Sequence, residues 1–470
     1  MRERADTPRE RSEGQRSGVR ECDGTDHTGL SRRRVLQAAG LASVGTVGLA
    51  GCTALRSSGT YDPDQAAFDP PVRAPEESYL ENATMFRGGL RRLGYYPDET
   101  VPEAVRVDWQ LPVNYVRHNA AKASPVPTPD GGTVVIPADT GRVHAVSPRG
   151  EFRWTLETAA TVQGFHASPI VVDGVAYVGD YGGADRGNTA SMHAIDTETG
   201  EHVWEADGFD SAVAIGSSAA YWDGYLYVVC EYRRTESGAL YVLDAETGDE
   251  LWSDHRIDGM PHPTVAIDPA AERLLTGSND GVCYCWEFPS LEFEWGFQTG
   301  GEIKGPIATH DGGAFVGSWD GSVYRVSLAD GTEEWSFETE NIVMSAPAVD
   351  PEAGIVYVGS DDWRVYALET DTGDEVWSRT LDGRVMSAVS VTADAVLAGT
   401  NGNSLYALEK DTGEVRWRVT GTGDATSEAR VHDGRIYYAE RAALSNEWDD
   451  DPETTVLEAP GHAYCLVADE

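Results

Sequence analysis

Lysine is nearly absent from this 470-residue chain, which contains only Lys122, Lys304 and Lys410. Lysine and arginine together number 36 against 78 acidic residues, for a net charge of −42 at pH 7. So large a negative charge argues against nucleic acid as a partner, because phosphate binding requires a basic surface. The acidic residues are spread along the chain, and molar salt, with a Debye length of roughly 3 Å, would screen their repulsion. We therefore expect the protein to come from an extreme halophile, specifically an archaeon. The alternative is an ordinary acidic secreted protein.

Cysteine is also scarce, and the spacing of the six cysteines does not indicate a haem or zinc site. The haem-attachment sequence Cys-x-x-Cys-His is missing. Cys283 and Cys285 would lie on one face of a predicted strand, but no second pair or histidine cluster completes a zinc site. We predict that these two thiols, together with Cys230 and Cys465, are buried and unpaired.

A hydrophobic run long enough for a typical membrane-spanning helix is lacking as well. The apolar run 35–50 has about 16 residues and is rich in glycine. It follows the pair Arg32-Arg33 and leads into Leu-Ala-Gly-Cys, which ends at Cys52. These features resemble a twin-arginine export motif and a lipobox, whose cysteine receives a diacylglyceryl group. We therefore expect 1–51 to be a lipoprotein signal and Cys52 to anchor the protein to the outer face of the cytoplasmic membrane.

Tryptophan, by contrast, recurs regularly along the chain. Eight tryptophans follow one another at intervals of 40 to 50 residues: Trp109, Trp154, Trp204, Trp252, Trp295, Trp335, Trp377 and Trp417. The most regular copies, 239–252, 365–377 and 405–417, contain a Tyr-x-Leu alternation, then Thr-Gly, then a segment ending in Trp. The alternation predicts a half-buried strand and Thr-Gly a tight turn. A repeat of this length accommodates four short strands, which is one blade of a β-propeller.

The two ends of the chain are predicted to complete one blade together. Segment 462–467 matches the third strand of the repeat, but no Thr-Gly-Trp strand follows it. The strand around Trp109 would supply the missing outer strand and so close the ring, which removes exposed sheet edges. The predicted fold is all-β: an eight-bladed propeller of four-stranded antiparallel blades over 85–470. A flexible tether, 52–84, would precede it and includes a glycosylation sequon at Asn82.

These motifs resemble the pyrroloquinoline-quinone (PQQ) repeat family over roughly 85–470, including the opening segment 85–94. The lipidated layout is similar to that of the outer-membrane β-barrel assembly lipoprotein, a propeller that binds partner proteins through loops on one face. The repeat implies one alternative, a quinoprotein dehydrogenase that oxidises alcohols or sugars with PQQ and calcium. The adjacent cysteine pair of the alcohol-oxidising enzymes is missing here. Fold does not fix function, so the repeat alone does not imply an enzyme. We expect a monomeric, non-catalytic scaffold that has no cofactor and binds a protein or a small ligand.

Four polar residues precede predicted innermost strands and would line the mouth of the central channel: His166, His262, Lys304 and Glu428. Lys304 could hold an anion there, and a merely solvated lining is the alternative. The spacing supports no nucleophile–base pair, so we predict no catalytic residue and no metal ligand. Segments 180–190 and 439–462 depart most from the repeat. We expect them to be docking loops or ordinary acidic surface loops.

Overall fold

The computed structural model describes residues 62, 66–70, 82–115, 123–160, 163–182, 189–207, 209, 212–444 and 456–469. Arg32, Arg33 and Cys52 lie outside these residues, as do parts of the two predicted docking loops. Within the described ranges, no helix is both long and apolar enough to span a bilayer.

The described chain consists almost entirely of short strands. Before the first blade come β1 (Ala83–Thr84), a 3₁₀ turn (Phe86–Gly88), β2 (Tyr95–Tyr96) and β3 (Val105–Asn114). Blade 1 contains β4 (Val126–Pro127), β5 (Val134–Pro137), β6 (Arg142–Val146) and β7 (Phe152–Glu157). Blade 2 contains β8 (Ile170–Val172), β9 (Val175–Gly179), β10 (Ser191–Asp196) and β11 (His202–Asp207). Blade 3 contains β12 (Ala220–Trp222), β13 (Tyr225–Tyr232), β14 (Ser237–Asp244) and β15 (Glu250–Asp258).

The next four blades repeat this pattern. Blade 4 contains β16 (Ala266–Asp268), β17 (Arg273–Gly277), β18 (Val282–Glu287) and β19 (Phe293–Gln298). Blade 5 contains β20 (Ala308–His310), β21 (Gly313–Gly317), β22 (Ser322–Ser327) and β23 (Glu333–Glu338). Blade 6 contains β24 (Ala348–Asp350), β25 (Ile355–Gly359), β26 (Arg364–Glu369) and β27 (Glu375–Thr380). Blade 7 contains β28 (Ser390–Thr392), β29 (Ala395–Thr400), β30 (Ser404–Glu409) and β31 (Val415–Thr420).

The last blade joins the two ends of the chain. The final strands are β32 (Arg430–His432), β33 (Arg435–Ala439), β34 (Ala443–Leu444), β35 (Leu457–Ala459) and β36 (Gly461–Ala468). Blade 8 has the strand order β3-β36-β33-β32, with Trp109 opposite Cys465, while β34 and β35 pair separately. The all-β, eight-bladed propeller closed by the Trp109 strand is therefore confirmed.

Each repeat tryptophan packs in the joint between two blades. In six joints its indole Nε1 donates to a backbone carbonyl of the following blade at 2.8–3.3 Å, as Trp335 does to Thr370. In the following blade, the glycine of the turn between the third and fourth strands packs against the indole ring. Gly373 has a φ of 75°, and a Cβ there would be 2.8 Å from the Trp335 ring. Positive φ and close approach together require glycine at this turn.

The other two joints are completed by residues that precede the first blade. Trp252 donates to the carbonyl of Ala66 at 2.9 Å, and Trp417 to that of Pro102 at 2.8 Å. Phe68 packs edge-on against Tyr225, with 5.6 Å between ring centroids. Residues 66–70 and 82–84, which we assigned to a flexible tether, therefore pack against the ring.

The ring has two distinct faces. The mouth face is where the innermost strands begin and where the second and third strands of each blade are connected. The tether face is where the innermost strands end and where residues 66–70 pack. The buried thiols Cys230, Cys283, Cys285 and Cys465 are unpaired, as predicted.

Candidate functional site

The centre of the ring is filled by segment 82–96, which we call the hub segment. Strand β1 pairs with the innermost strand β8 of blade 2, and β2 pairs with β28 of blade 7. Between them, the hub carbonyls accept N–H groups from the innermost strands of blades 4, 5, 6 and 7: Leu90 from Ile267, Arg91 from Thr309, Leu93 from Val349 and Gly94 from Val391. The central channel is therefore crossed by protein.

Two arginines fix the hub segment to opposite sides of the ring. Arg87 and Arg92 are fully buried and have left-handed φ values of 56° and 57°. They donate to the carbonyls that directly precede four innermost strands, at 2.5–3.0 Å: Arg87 to Pro347 and Val389, and Arg92 to Val265 and Ala219. Burial lowers the pKa of Arg92 to about 9, so the guanidinium stays charged at neutral pH. These hydrogen bonds hold the hub segment across the channel, so that it forms the floor of the mouth.

Glu428 belongs to this hub and not to the mouth lining. Its side chain is 2% exposed, accepts a hydrogen bond from the Tyr96 hydroxyl at 2.9 Å and lies 3.9 Å from Arg87. Glu428 differs from the other three predicted mouth residues in its distance from the start of its innermost strand. Glu428 lies two residues before its innermost strand, whereas His166, His262 and Lys304 each lie four residues before theirs. Those two extra residues keep the other three side chains at the mouth.

His166 and His262 meet there in a four-residue group, the mouth cluster, which Tyr181 and Glu231 complete. The ring of His166 stacks on that of Tyr181, with centroids 4.2 Å apart. The Tyr181 hydroxyl donates to Glu231 Oε2 at 3.3 Å, and Glu231 Oε1 lies 3.0 Å from His262 Nδ1. Glu231 is fully buried. Because one carboxylate holds both the phenol and the imidazole, the cluster is a fixed polar surface spanning blades 2 to 4.

Lys304 is also held in place at the mouth. Its Nζ lies 2.7 Å from Glu302 and 3.8 Å from the centroid of the Trp319 ring. The first contact is an ion pair, and the second has the geometry of a cation–π interaction. The mouth therefore presents this cation against an aromatic face and beside a carboxylate.

A second carboxyl at the mouth lies in blade 8. Glu440 is 1% exposed, and its Oε2 accepts from the Tyr464 hydroxyl at 3.1 Å and from the backbone N–H of Gly423 at 3.3 Å. Burial raises its pKa to about 7. The neighbouring Arg441 forms a buried ion pair with Asp424. Glu440 therefore changes charge near neutral pH, inside the segment 439–462 that we expected to be a docking loop or an ordinary acidic surface loop.

On the tether face, the hub segment lines a cavity of about 1050 Å³. Trp222, Asp268, Arg430 and His432, which come from the ends of three innermost strands and their turns, complete its wall. Nothing in the sequence indicated this cavity, because the hub that forms its floor is recognised only in the assembled ring.

The sequence relatives agree with this architecture. The PQQ-repeat family model described as "Outer membrane protein assembly factor BamB" matches three overlapping stretches of the chain, 106–271, 237–351 and 320–447. The chain belongs to this PQQ-repeat family. A quinohemoprotein alcohol dehydrogenase from Comamonas testosteroni is 30% identical over 161 residues, which are 31% of this chain and 20% of that protein. The chain thus spans about a fifth of the length of that relative.

Solved structures of two other proteins resemble this PQQ-repeat propeller. BamB from Moraxella catarrhalis has a TM-score of 0.56 at 15% identity, covering 77% of this chain and 99% of that one. A europium-containing methanol dehydrogenase has a TM-score of 0.66 at 12% identity, covering 83% of this chain and 99% of that one. At these identities the likeness establishes the shared fold alone.

At the described mouth of this PQQ-repeat propeller, Glu231 and Asn279 carry oxygens of the kind that calcium binds, and both side chains contact His262. Calcium takes six to eight oxygen ligands. His262 lies between Glu231 and Asn279: its Nδ1 is 3.0 Å from a carboxylate oxygen of Glu231, and its Nε2 is 3.4 Å from the amide nitrogen of Asn279. In the part of the chain that the structure describes, one group of three His, Cys, Asp or Glu side chains is close enough to share a metal, and it lies in blade 2.

Sequence reasoning missed several residues that shape this PQQ-repeat propeller. Arg87 and Arg92 stand in a segment that we recognised only as an opening motif. Their signal was three arginines, Arg87, Arg91 and Arg92, in the short glycine-containing stretch 85–94 ahead of the first blade. Glu231 lies near the end of the apolar strand β13, and Glu440 directly follows the apolar strand β33. A carboxylate next to so many apolar residues indicates a buried polar partner.

Proposed function

We propose that this PQQ-repeat propeller is an exported, lipid-anchored scaffold that binds a partner protein at its mouth face and catalyses no reaction itself. Trp363 is the observation that carries the proposal. It sits on the mouth side of blade 6, is 50% exposed and has a φ of 74°. At the same turn position, blades 4 and 5 have Gly281 and Gly321, with φ values of 81° and 93°.

A tryptophan in this conformation costs stability, because left-handed backbone disfavours a residue with a Cβ by about 1 kcal/mol. Glycine would avoid that cost and is what blades 4 and 5 use, while blade 7 has Asn403 there, with a φ of 61°. Tryptophan is also the residue type most enriched among the dominant contacts of protein interfaces. Strain together with exposure supports a binding role for this side chain.

The ionisable groups of the mouth support binding more than catalysis. His262 faces Glu231, Lys304 faces Glu302, and Arg384 lies 3.7 Å from Asp361. Such pairs hold charges in fixed positions, which suits recognition of a complementary surface. Residues 66–70 pack on the opposite face, so this described part of the tether does not occupy the mouth.

The test places a photo-crosslinking phenylalanine analogue at position 363, with position 152 as the matched control. Phe152 is 58% exposed but lies on the outermost strand of blade 1, away from the mouth. After irradiation of native membranes at the growth salt concentration, we expect one discrete protein adduct from position 363 and none from position 152. The same adducts from both positions, or none from 363, would contradict the proposal.

The alternative is a quinoprotein dehydrogenase, which the similarity to the alcohol dehydrogenase of Comamonas testosteroni favours. It is tested by adding PQQ and calcium at high salt and measuring dye-linked oxidation of alcohols and sugars. Under the scaffold proposal, dye reduction stays at the rate without PQQ. Sustained turnover that depends on PQQ would replace the scaffold proposal with the enzyme.

A further inference from the structure

Blade 2 contains a cluster of metal-ligating side chains between its two outer strands. His193 Nδ1 lies 3.0 Å from His202 Nε2, and the two rings are stacked with centroids 5.2 Å apart. Glu205 is directly opposite His193 in the β10–β11 register. The ligand atoms of the three residues lie within 4.8 Å of one another. Two nitrogens bound to one tetrahedral zinc ion would be about 3.3 Å apart, so the imidazoles are already close to the required spacing.

The repeat itself shows that this set is specific to blade 2. Blade 1 has His144, Phe152 and Thr155 at the same three positions, as the strand registers show. In blades 3 to 8 the place of His193 is taken by tyrosine: Tyr241, Tyr284, Tyr324, Tyr366, Tyr406 and Tyr464. The place of Glu205 is taken by residues without a carboxylate: Ser253, Gly296, Ser336, Ser378, Arg418 and Gln110. All of these positions are described, and blade 2 alone has a metal-ligating side chain at all three positions.

A buried carboxylate orients the inner imidazole. His193 is fully buried, and its Nε2 lies 3.2 Å from Asp180 Oδ2, itself 2% exposed. Asp180 is held in turn, because its Oδ1 accepts the backbone N–H of Ser191 at 2.8 Å. A carboxylate on the outer nitrogen of a histidine is the usual support of a metal ligand, since it leaves the other nitrogen free to coordinate.

We propose that His193, His202 and Glu205 bind one divalent first-row transition-metal ion, with Asp180 positioning His193. Two imidazoles and one carboxylate suit zinc, copper or nickel and are a poor set for calcium or magnesium. His202 and Glu205 are exposed, so an ion can enter from solvent. The competing explanation is a simple hydrogen bond between the two imidazoles, in which one ring donates its N–H to the other.

The test is calorimetric titration of Zn²⁺ into the EDTA-treated, reduced full-length protein. Molar KCl and excess Mg²⁺ are included to suppress loose binding to the acidic surface. We expect one site with a micromolar or tighter Kd. His202→Ala should weaken that site by at least 100-fold, and because His202 is exposed the variant should keep the thermal unfolding temperature of the parent. His144→Ala, the matched change in blade 1, should leave zinc binding unchanged.

Two further measurements separate the proposal from its rivals. Asp180→Asn should weaken zinc binding by about 10- to 100-fold, as removal of such outer partners does. Co²⁺ should give visible bands typical of nitrogen and oxygen ligands. A cobalt–thiolate charge-transfer band that persists in His202→Ala would assign the ion to cysteines instead. Equal zinc affinity of the parent and His202→Ala would leave only the hydrogen-bonded histidine pair and overturn the proposal.

Discussion

Replacing Glu440 with glutamine should change the pH dependence of stability in a direction that the structure fixes. Burial raises the pKa of this carboxyl from 4.5 to about 7. The folded protein therefore keeps the proton to higher pH than the unfolded chain does. Between these two pKa values the unfolded chain ionises first, so the free energy of unfolding falls as pH rises. The difference between 4.5 and 7 corresponds to about 3 kcal/mol at pH values above both.

Glutamine cannot ionise, but its carbonyl oxygen can still accept from the Tyr464 hydroxyl and the Gly423 N–H. Urea unfolding at constant salt should therefore give similar stabilities for the parent and Glu440→Gln at pH 5. The variant should become the more stable protein by about 2–3 kcal/mol at pH 8. Glu375→Gln, an exposed control, should follow the parent throughout. A difference between Glu440→Gln and the parent that stays constant from pH 5 to pH 8 would refute this account of the buried carboxyl.

Three further predictions concern the joints, the hub and the anchor. Gly373→Ala should lower the free energy of unfolding by about 3 kcal/mol, because it adds a clash with an indole to the cost of positive φ. Gly434→Ala, with φ 69° and nothing within 4 Å, should cost only about 1 kcal/mol in the same urea titration. Arg92→Met should cost at least about 3 kcal/mol through unsatisfied carbonyls, while Arg91→Met, at the exposed neighbouring position, should cost under about 0.5 kcal/mol. Cys52→Ala should release the protein from membranes into the soluble fraction, and unchanged retention would contradict the lipid anchor.

The ring could be predicted from the sequence because its information is repeated. Tryptophans 40 to 50 residues apart mark the eight contacts between blades. The repeat is therefore recognisable even where a single copy departs from the consensus. Closure was predictable for a similar reason, since the missing outer strand at the C terminus had one candidate, the strand around Trp109. The burial of Cys285 and Cys465 followed from their place in the repeat, where blades 1, 2, 6 and 7 have alanine.

The centre of the ring could not be predicted in the same way. The hub segment occurs once, and most of its partners are backbone groups in or directly before innermost strands that lie far away in sequence, as Val389 lies 302 residues from Arg87. Backbone acceptors have no sequence signature. The sequence pattern predicts the start of a strand only to within a few residues, and two residues of register separate the mouth from the buried hub, so it does not place Glu428 correctly.

Departures from an internal repeat identify candidate functional residues without any alignment of relatives. In a ring of similar blades, the other blades show which residue the fold itself prefers at each position. Trp363 stands where the turn prefers glycine, so the fold does not account for it. His193 stands where six blades use tyrosine, and His202 and Glu205 accompany it in the same blade. Because three such departures converge on atoms within 4.8 Å of one another, chance drift at separate positions is a weaker explanation than selection for a shared ligand.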